Sequence, residues 1–346
     1  MSRYALLILP AMNKVYAEAA VSLSIAELEV MNTAVLGGRL SQIERTTLGG
    51  VPYLTFEADG GLSEADLGFL ANLSSRYALF ERAGDLLRPL PLTPLDQFDD
   101  DLITIQKYAG KTNEHFTKLL LNVTVLSSGW ASAMTTRRFR IIDPLCGRGT
   151  TLNQALMYGY DSAGIELDLR DFEAYSAFIR TWLRRKRIKH HAETSRVRRD
   201  RAVVGRRLDV EVGVTRESYR AGDRLTVTMV QGDTRRAREF FSARSFDLLV
   251  TDAPYGVRHG STTGAKLTRD PLGLLGAALP GWIELIRPGG AVGIAFNEYV
   301  SPRADMVSLL ADHGLQVYND GPYRNFSHWV DQAIVRDIVV ARKPDR

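Results

Sequence analysis

The chain has 346 residues, of which 45% are apolar and 24% charged. Those are globular proportions; they exclude extended disorder and leave room for one large domain or two ordinary ones. A net charge of +4 and an isoelectric point of about 9.1 suit an anionic partner without requiring one. The single cysteine, Cys146, rules out an intramolecular disulfide and a cysteine-based metal site, and it points to a reducing compartment. No stretch approaches the roughly 18 apolar residues of a membrane span, so a cytoplasmic protein with no membrane attachment is expected.

In chain order, residues 4–9 are an apolar run broken by Pro10 and closed by Asn13 and Lys14. This reads as a first strand and not as a signal peptide. Residues 17–31 follow with a helical spacing of Val21, Ile25, Leu28 and Val30. Residues 41–47 and 51–56 suit a hairpin around Gly49 and Gly50. Ser63 with Asp66 begins a capped helix, and residues 76–81 are a last strand. The order βαββαβ predicts a small N-terminal α+β domain, ferredoxin-like, over residues 1–95. It serves either packing and dimerisation or substrate positioning. Residues 86–94 are proline-rich and residues 98–101 acidic, which predicts a linker.

From residue 96 to 346 strand-like runs alternate with helical segments. Residues 139–143, 162–166, 226–230, 246–251 and 291–297 predict a mostly parallel sheet, and residues 315–318 and 333–341 an antiparallel edge hairpin. A basic insertion at about 184–224 interrupts the pattern. Arg184, Arg185, Lys186 and Arg187 open it, with Arg196, Arg198, Arg199, Arg201, Arg206 and Arg207 beyond. Residues 210–214 and 225–229 are expected to pair around a turn at Arg220–Asp223. A charge run is commonly a solvated face; at this density in a nearly neutral chain it is read as a phosphate-contacting, nucleic-acid-binding segment.

The strongest motif is Asp143-Pro144-Leu145-Cys146-Gly147-Arg148-Gly149-Thr150. A buried strand ends at Asp143, a glycine turn follows, and a helix opens near Thr150. Free N–H groups at that helix start, and glycines at 147 and 149, let a ligand approach the backbone. No Gly-Lys-Ser/Thr is present, and Leu152 breaks the dinucleotide pattern, so a P-loop and a standard dinucleotide loop are both excluded. Glu166 ends the second strand, where a carboxylate can accept both ribose hydroxyls, and Asp233 ends the third. The segment resembles motif I of class I S-adenosylmethionine methyltransferases. That resemblance implies a Rossmann-like fold, a seven-stranded mostly parallel sheet, and S-adenosyl-L-methionine as cofactor. It also implies that the turn residues Asp143, Cys146, Gly147, Gly149 and Thr150 hold the cofactor's methionine part, with Glu166 on the ribose and Asp233 on the adenine amine. Thr112 and Asn113 precede an apolar helix; they cap it or cover the cofactor carboxylate.

The second motif is Asp252-Ala253-Pro254-Tyr255 at the end of a hydrophobic strand. It is similar to the (Asp/Asn)-Pro-Pro-(Tyr/Phe) motif of methyltransferases acting on base amines. The lone pair of an exocyclic base amine is delocalised into the ring. A carboxylate and a backbone carbonyl that accept its hydrogens turn the lone pair toward the methyl donor. The resemblance therefore implies that Asp252 and Pro254 are catalytic and that Tyr255 stacks the base. Ala253 replaces the usual proline, so the carbonyl survives but the fixed φ is lost.

The longer string from Val250 through Gly256 to Arg258 resembles the tRNA guanosine-N2-methyltransferases, which implies N2 methylation of guanosine in tRNA, with nucleic acid as partner. A DNA amino-methyltransferase and a small-molecule or protein N-methyltransferase are the alternatives, and no partner subunit is indicated. Tyr323, Phe326 and Trp329 either stack on the target base or anchor the core. His259 and His328 lack metal-ligand spacing, and no metal is expected.

Overall fold

The computed structural model describes residues 1–9, 14–108, 110–199, 202–255 and 270–345. Seven elements open the chain: β1 (Ser2–Ile8), α1 (Lys14–Ala34), β2 (Leu40–Leu48), β3 (Val51–Ala58), α2 (Glu64–Leu70), β4 (Arg76–Ala83) and β5 (Leu86–Leu90). Their strands form an antiparallel sheet in the order β2-β3-β1-β4-β5. Ser63 and Asp66 close a capping box at the start of α2. The expected linker is corrected here: its first half is β5. Pro89 is tolerated because β5 is an edge strand paired only with β4, where a missing N–H costs nothing.

Helix α1 is buried beyond the face it turns to its own sheet. Leu23, Ala26, Leu28, Val30 and Met31 are all at most 1% exposed. One side covers β2 and β3, and another packs on a helix of the second half, Glu114–Leu126. The acid Glu27 sits fully buried at that junction.

The second half contains α3 (Asp101–Thr104), α4 (Glu114–Leu126), β6 (Arg140–Asp143), α5 (Thr150–Met157), β7 (Asp161–Glu166), α6 (Leu169–Arg185), β8 (His190–Arg199), β9 (Ala202–Val212) and α7 (Arg216–Arg220). It continues with β10 (Leu225–Gln231), α8 (Ala237–Phe240), β11 (Phe246–Asp252), α9 (Pro271–Leu285), β12 (Ile286–Asn297), α10 (Arg303–Asp312), β13 (Gln316–Tyr318), β14 (His328–Asp331) and β15 (Ile334–Arg342). The sheet order is β13-β15-β12-β11-β6-β7-β10-β9-β8, with β14 paired to β15. The neighbours β10, β7, β6, β11 and β12 are parallel. Their C-terminal ends therefore share one edge, which carries Asp143, Glu166, Gln231, Asp252 and Asn297. The near-continuous burial of β6, β11 and β12 is what helices on both faces of a parallel sheet produce.

The expected sheet of seven strands is corrected to ten among the described residues. β13 and β15 pair antiparallel as expected. β14 adds a strand beside β15, and the insertion adds β8 and β9. The anticipated pairing within the insertion is present, with Val210 opposite Val227, and its turn falls at residues 221–222, directly after the short helix α7. Arg184 and Arg185 belong to α6 and not to the insertion. None of the described helices is long and apolar enough to cross a membrane.

Candidate active site

The turn after β6 is built by steric constraint. Gly147 has φ +50° with open space where a side chain would project, and its N–H donates to Glu166 Oε2 at 2.9 Å. Gly149 has φ +77°, and a Cβ there would lie 2.3 Å from Tyr175 Cε2 of α6. Gly149 is thus required for packing against α6, which corrects the reading that both glycines serve ligand approach. Cys146 is also corrected. Its side chain points into the core, where it meets Gly164 and Leu152; only its backbone, with the N–H on Ile165 O at 3.0 Å, shapes the turn. Burial pushes the Cys146 thiol well above its ordinary range.

Asp143 is buried and accepts from Thr251 Oγ1 at 2.7 Å and Leu145 N at 3.1 Å. Burial raises its carboxyl to about 6 against those hydrogen bonds, and nearby Asp252 adds to the rise. Glu166 accepts one backbone N–H on each oxygen, from Gly147 and from Asp168 at 2.7 Å. With no cation paired to it among the described residues, burial pushes its carboxyl up to about 7. A half-buried carboxylate with spare acceptor capacity, an open turn and a helix start fit a ribose and an amino-acid moiety.

Thr150 opens α5 and lies 3.1 Å from the hydroxyl of Tyr108, whose ring is covered by Arg148 at 4.8 Å. Tyr108 thus belongs to the rim of this turn, and nothing in the sequence singled it out. Asp233 begins a short 3-10 turn and is held by Arg235 through the backbone N–H and the guanidinium. Those bonds hold its carboxyl below the ordinary range. An adenine amine at Asp233 would share it with Arg235. Asn113 is the helix cap, accepting from the N–H groups of His115 and Phe116.

Thr112 departs from its expected place over the cofactor carboxylate. It donates to Asp252 Oδ2 at 2.5 Å. The other oxygen, Oδ1, receives the hydroxyl of Tyr255. The backbone carries the motif onward: Ala253 N donates to Ala295 O at 2.9 Å, and Asn297 Nδ2 donates to Tyr255 O at 3.2 Å. The Arg336 guanidinium lies between two rings, 4.5 Å from Phe116 and 5.0 Å from Tyr255. One face of Tyr255 is therefore covered by the guanidinium. Burial and the Asp252 charge push the Tyr255 phenol well above its ordinary range.

The site lies at the C-terminal edge of a parallel sheet, where two adjacent strands end in Asp143 and Asp252 and a third in Glu166. Residues 122–279 match the UPF0020 family model, described as RMKL-like, methyltransferase domain. This stretch is an S-adenosylmethionine-dependent methyltransferase domain. The ribosomal RNA large subunit methyltransferase K/L of Photobacterium profundum is 33% identical over 150 residues, covering 40% of this chain and 19% of that protein. The chain thus spans about a fifth of the length of that relative. Among solved structures, a TehB-like SAM-dependent methyltransferase from Corynebacterium glutamicum is 16% identical, over 61% of this chain and 83% of that one, at a TM-score of 0.34. A SAM-dependent methyltransferase from Methanosarcina mazei is 11% identical, over 61% and 96%, at 0.39.

The remaining expectations fall on several parts of the methyltransferase domain and its surroundings. Gly256, Arg258 and His259 lie outside the described residues. His328 is buried against Phe116 with Nδ1 2.9 Å from Phe326 O, and burial lowers its ring to about 4. Phe326 is a core residue and Tyr323 stacks on Tyr318, whereas Trp329 is 50% exposed. Among the described residues no group of three or more His, Cys, Asp or Glu could hold a metal.

The basic quartet is corrected in place. Helix α6 starts at the site edge after β7 and runs back along the sheet, so Arg184–Arg187 lie beside the first residues of β10, at the opposite edge. The hydrogen bond from Gly213 N to Lys189 O and the pairing of Val212 with Leu225 fix that position. Lys186 is moreover neutralised by Asp99 and Asp101, each at 2.7 Å.

Proposed function

We propose that the chain methylates an exocyclic amine of an RNA base, with guanosine N2 as the target atom. The observation that carries this reading is the carboxylate of Asp252, fixed on both oxygens at the strand end beside the cofactor turn. Asp252 and the carbonyl of Ala253 or Pro254 would accept the two amine hydrogens, directing the lone pair away from the ring and stabilising the charge that develops on nitrogen. The proton then leaves through Asp252 or water. Tyr255 would stack on the base. Asp143, Gly147, Thr150 and Glu166 would hold S-adenosylmethionine, which supplies the methyl group.

The resemblance of residues 250–258 favours tRNA, and the Photobacterium relative is named for ribosomal RNA. In our reading the chain divides near residue 95 into a ferredoxin-like unit and the methyltransferase unit, whose strands β10, β7, β6, β11, β12, β15 and β13 form a class I core. Trp329 and Tyr299, exposed by 50% and 64%, lie where β12 ends and β14 begins, suited to stacking on RNA bases.

The test is incubation of the full chain with S-adenosylmethionine and, separately, unmodified tRNA, unmodified ribosomal RNA and duplex DNA, followed by nucleoside mass spectrometry. N2-methylguanosine in either RNA supports the reading and names the RNA class. Methyladenine in DNA alone, or no modified base while the cofactor binds, overturns it.

A further inference from the structure

The register of the insertion gives it a direction. β9 runs antiparallel to β10, and Gln231, the last residue of β10, faces Arg206. The β9 residues ahead of Arg206 have only β8 beside them, with Val197 opposite Gly205, Arg198 opposite Val203 and Arg199 opposite Ala202. The hairpin therefore continues past the C-terminal edge of the parallel strands, the edge that carries Asp143, Glu166 and Asp252. At about 3.3 Å per residue, the positions from 202 to 205 reach roughly 13 Å beyond that edge.

Gly205 seats this projection. A Cβ there would lie 2.1 Å from Gln231 O, so only glycine lets β9 lie this close to the end of β10. Among the described residues the charge on the projection is of one sign. Arg196 and Arg198 are exposed and, among the described residues, carry no ion pair. Arg206 is held by Glu173 at 2.7 Å. In the sequence Arg199 and Arg201 follow, and Asp200 is the single acid between residues 194 and 206. Like charges concentrated on a narrow ribbon repel one another, and a polyanion relieves that repulsion. The quartet at 184–187 offers no equivalent, because it sits at the far edge and is partly neutralised.

We propose that the β8–β9 hairpin is an arm that grips the phosphate backbone of the RNA substrate beside the base being methylated. The proposal rests on the RNA reading above and assigns the grip to Arg196 and Arg198. Phosphate contacts fix the register of a nucleic acid without reading its sequence. This arm therefore supplies position and affinity, while the site around Asp252 selects the base.

The experiment measures binding of the full chain to a labelled RNA stem-loop of about 30 nucleotides between about 50 and 200 mM salt. The Arg196→Gln/Arg198→Gln double variant is expected to weaken binding about tenfold or more and to flatten the slope of log affinity against log salt by about 1 to 2. The Arg184→Gln/Arg185→Gln variant is expected to change neither. Gly205→Val, which keeps every charge but displaces the arm, is expected to raise the RNA KM while cofactor affinity stays unchanged. An unchanged slope in the first variant, or the larger change in the second, overturns the proposal. Equal or tighter binding of a DNA duplex of the same length overturns RNA as the occupant. Absence of N2-methylguanosine while Arg196 and Arg198 still control RNA binding sinks the chemistry proposed above and leaves the arm standing.

Discussion

Thr112, just ahead of α4, donates to Asp252 at the end of β11 with Oγ1 2.5 Å from Oδ2, and Tyr255 donates to the other oxygen. Two donors on opposite oxygens fix the plane of the carboxylate and leave each oxygen one lone pair for an incoming amine. Asp252→Ala is expected to abolish methyl transfer with cofactor affinity nearly unchanged. Thr112→Val should lower kcat by about ten- to a hundredfold through loss of this orientation. KM for RNA should barely move, and Thr112→Ser should restore most of the rate. Steady-state kinetics check this: a loss confined to KM removes Thr112 from the positioning role.

Glu166 gives the protein a pH signature. Burial pushes its carboxyl up to about 7 from an ordinary 4.5. Ribose hydroxyls donate best to the ionised form, so cofactor binding strengthens as pH rises through about 7. Below that value the dissociation constant for S-adenosylhomocysteine should rise by up to about tenfold per pH unit. Glu166→Gln should bind more weakly at pH 8 and lack this dependence. Calorimetric titration decides it; superimposable pH profiles for the two proteins would exclude Glu166 as the ribose acceptor. For the free protein the same shift works the other way: the contribution of Glu166 to stability is present below about 4.5 and is lost as pH rises through about 7.

These two residues also show where the sequence is transparent. Glu166, like Asp143 and Asp252, could be placed because a run of buried strand residues ended in an acid at a turn, and strand ends on one edge of a parallel sheet must converge. The Thr112–Asp252 contact spans 140 residues, and no local pattern encodes it. The arm was obscured for a different reason. β8 reads His190-His191-Ala192-Glu193-Thr194-Ser195-Arg196, with no apolar alternation, because it is the edge strand of the sheet. The basic quartet could be seen as charge but not placed, since only the length of α6 decides at which edge it ends. The role of Gly149 depended on Tyr175, which a motif centred on the turn does not contain.

Gly149 therefore carries a structural prediction. Its φ of +77° and the 2.3 Å approach of Tyr175 leave no room for a methyl group. Gly149→Ala should destabilise the fold by about 2–4 kcal/mol, combining left-handed strain with overpacking. The Gly149→Ala/Tyr175→Leu double variant should recover part of the packing share. Urea denaturation measures both, and strict additivity of the two single changes would disprove the clash.

The junction of the two halves turns on one buried acid. Glu27 of α1 accepts from Ser74 N, Ser74 Oγ and Asn122 Nδ2 of α4, the last at 2.7 Å. Tyr158 in turn donates to Asn122 Oδ1 at 2.9 Å. Burial raises the Glu27 carboxyl despite these donors. Glu27→Ala would leave buried donors without an acceptor and should cost about 2–4 kcal/mol. Since one apolar cluster joins α1 to α4, both halves should still unfold in one transition. Two separated transitions in the wild-type protein would show that this junction does not couple them.

Trp329 offers the sharpest test of how RNA meets the site. It lies beside the end of β12, opposite Val335 on β15, and half of its surface is exposed although the preceding residue, His328, is buried. A large aromatic left in solvent at the catalytic edge is suited to stacking on an unpaired base, a contact worth about 1–3 kcal/mol. Trp329→Ala should therefore weaken RNA binding by roughly five- to a hundredfold, with Trp329→Phe retaining most of the affinity. Because stacking is not electrostatic, the salt slope should stay as in the wild type, which separates this residue from Arg196 and Arg198. Unchanged RNA affinity in Trp329→Ala would assign the exposed ring to another surface function and leave base holding to Tyr255 alone.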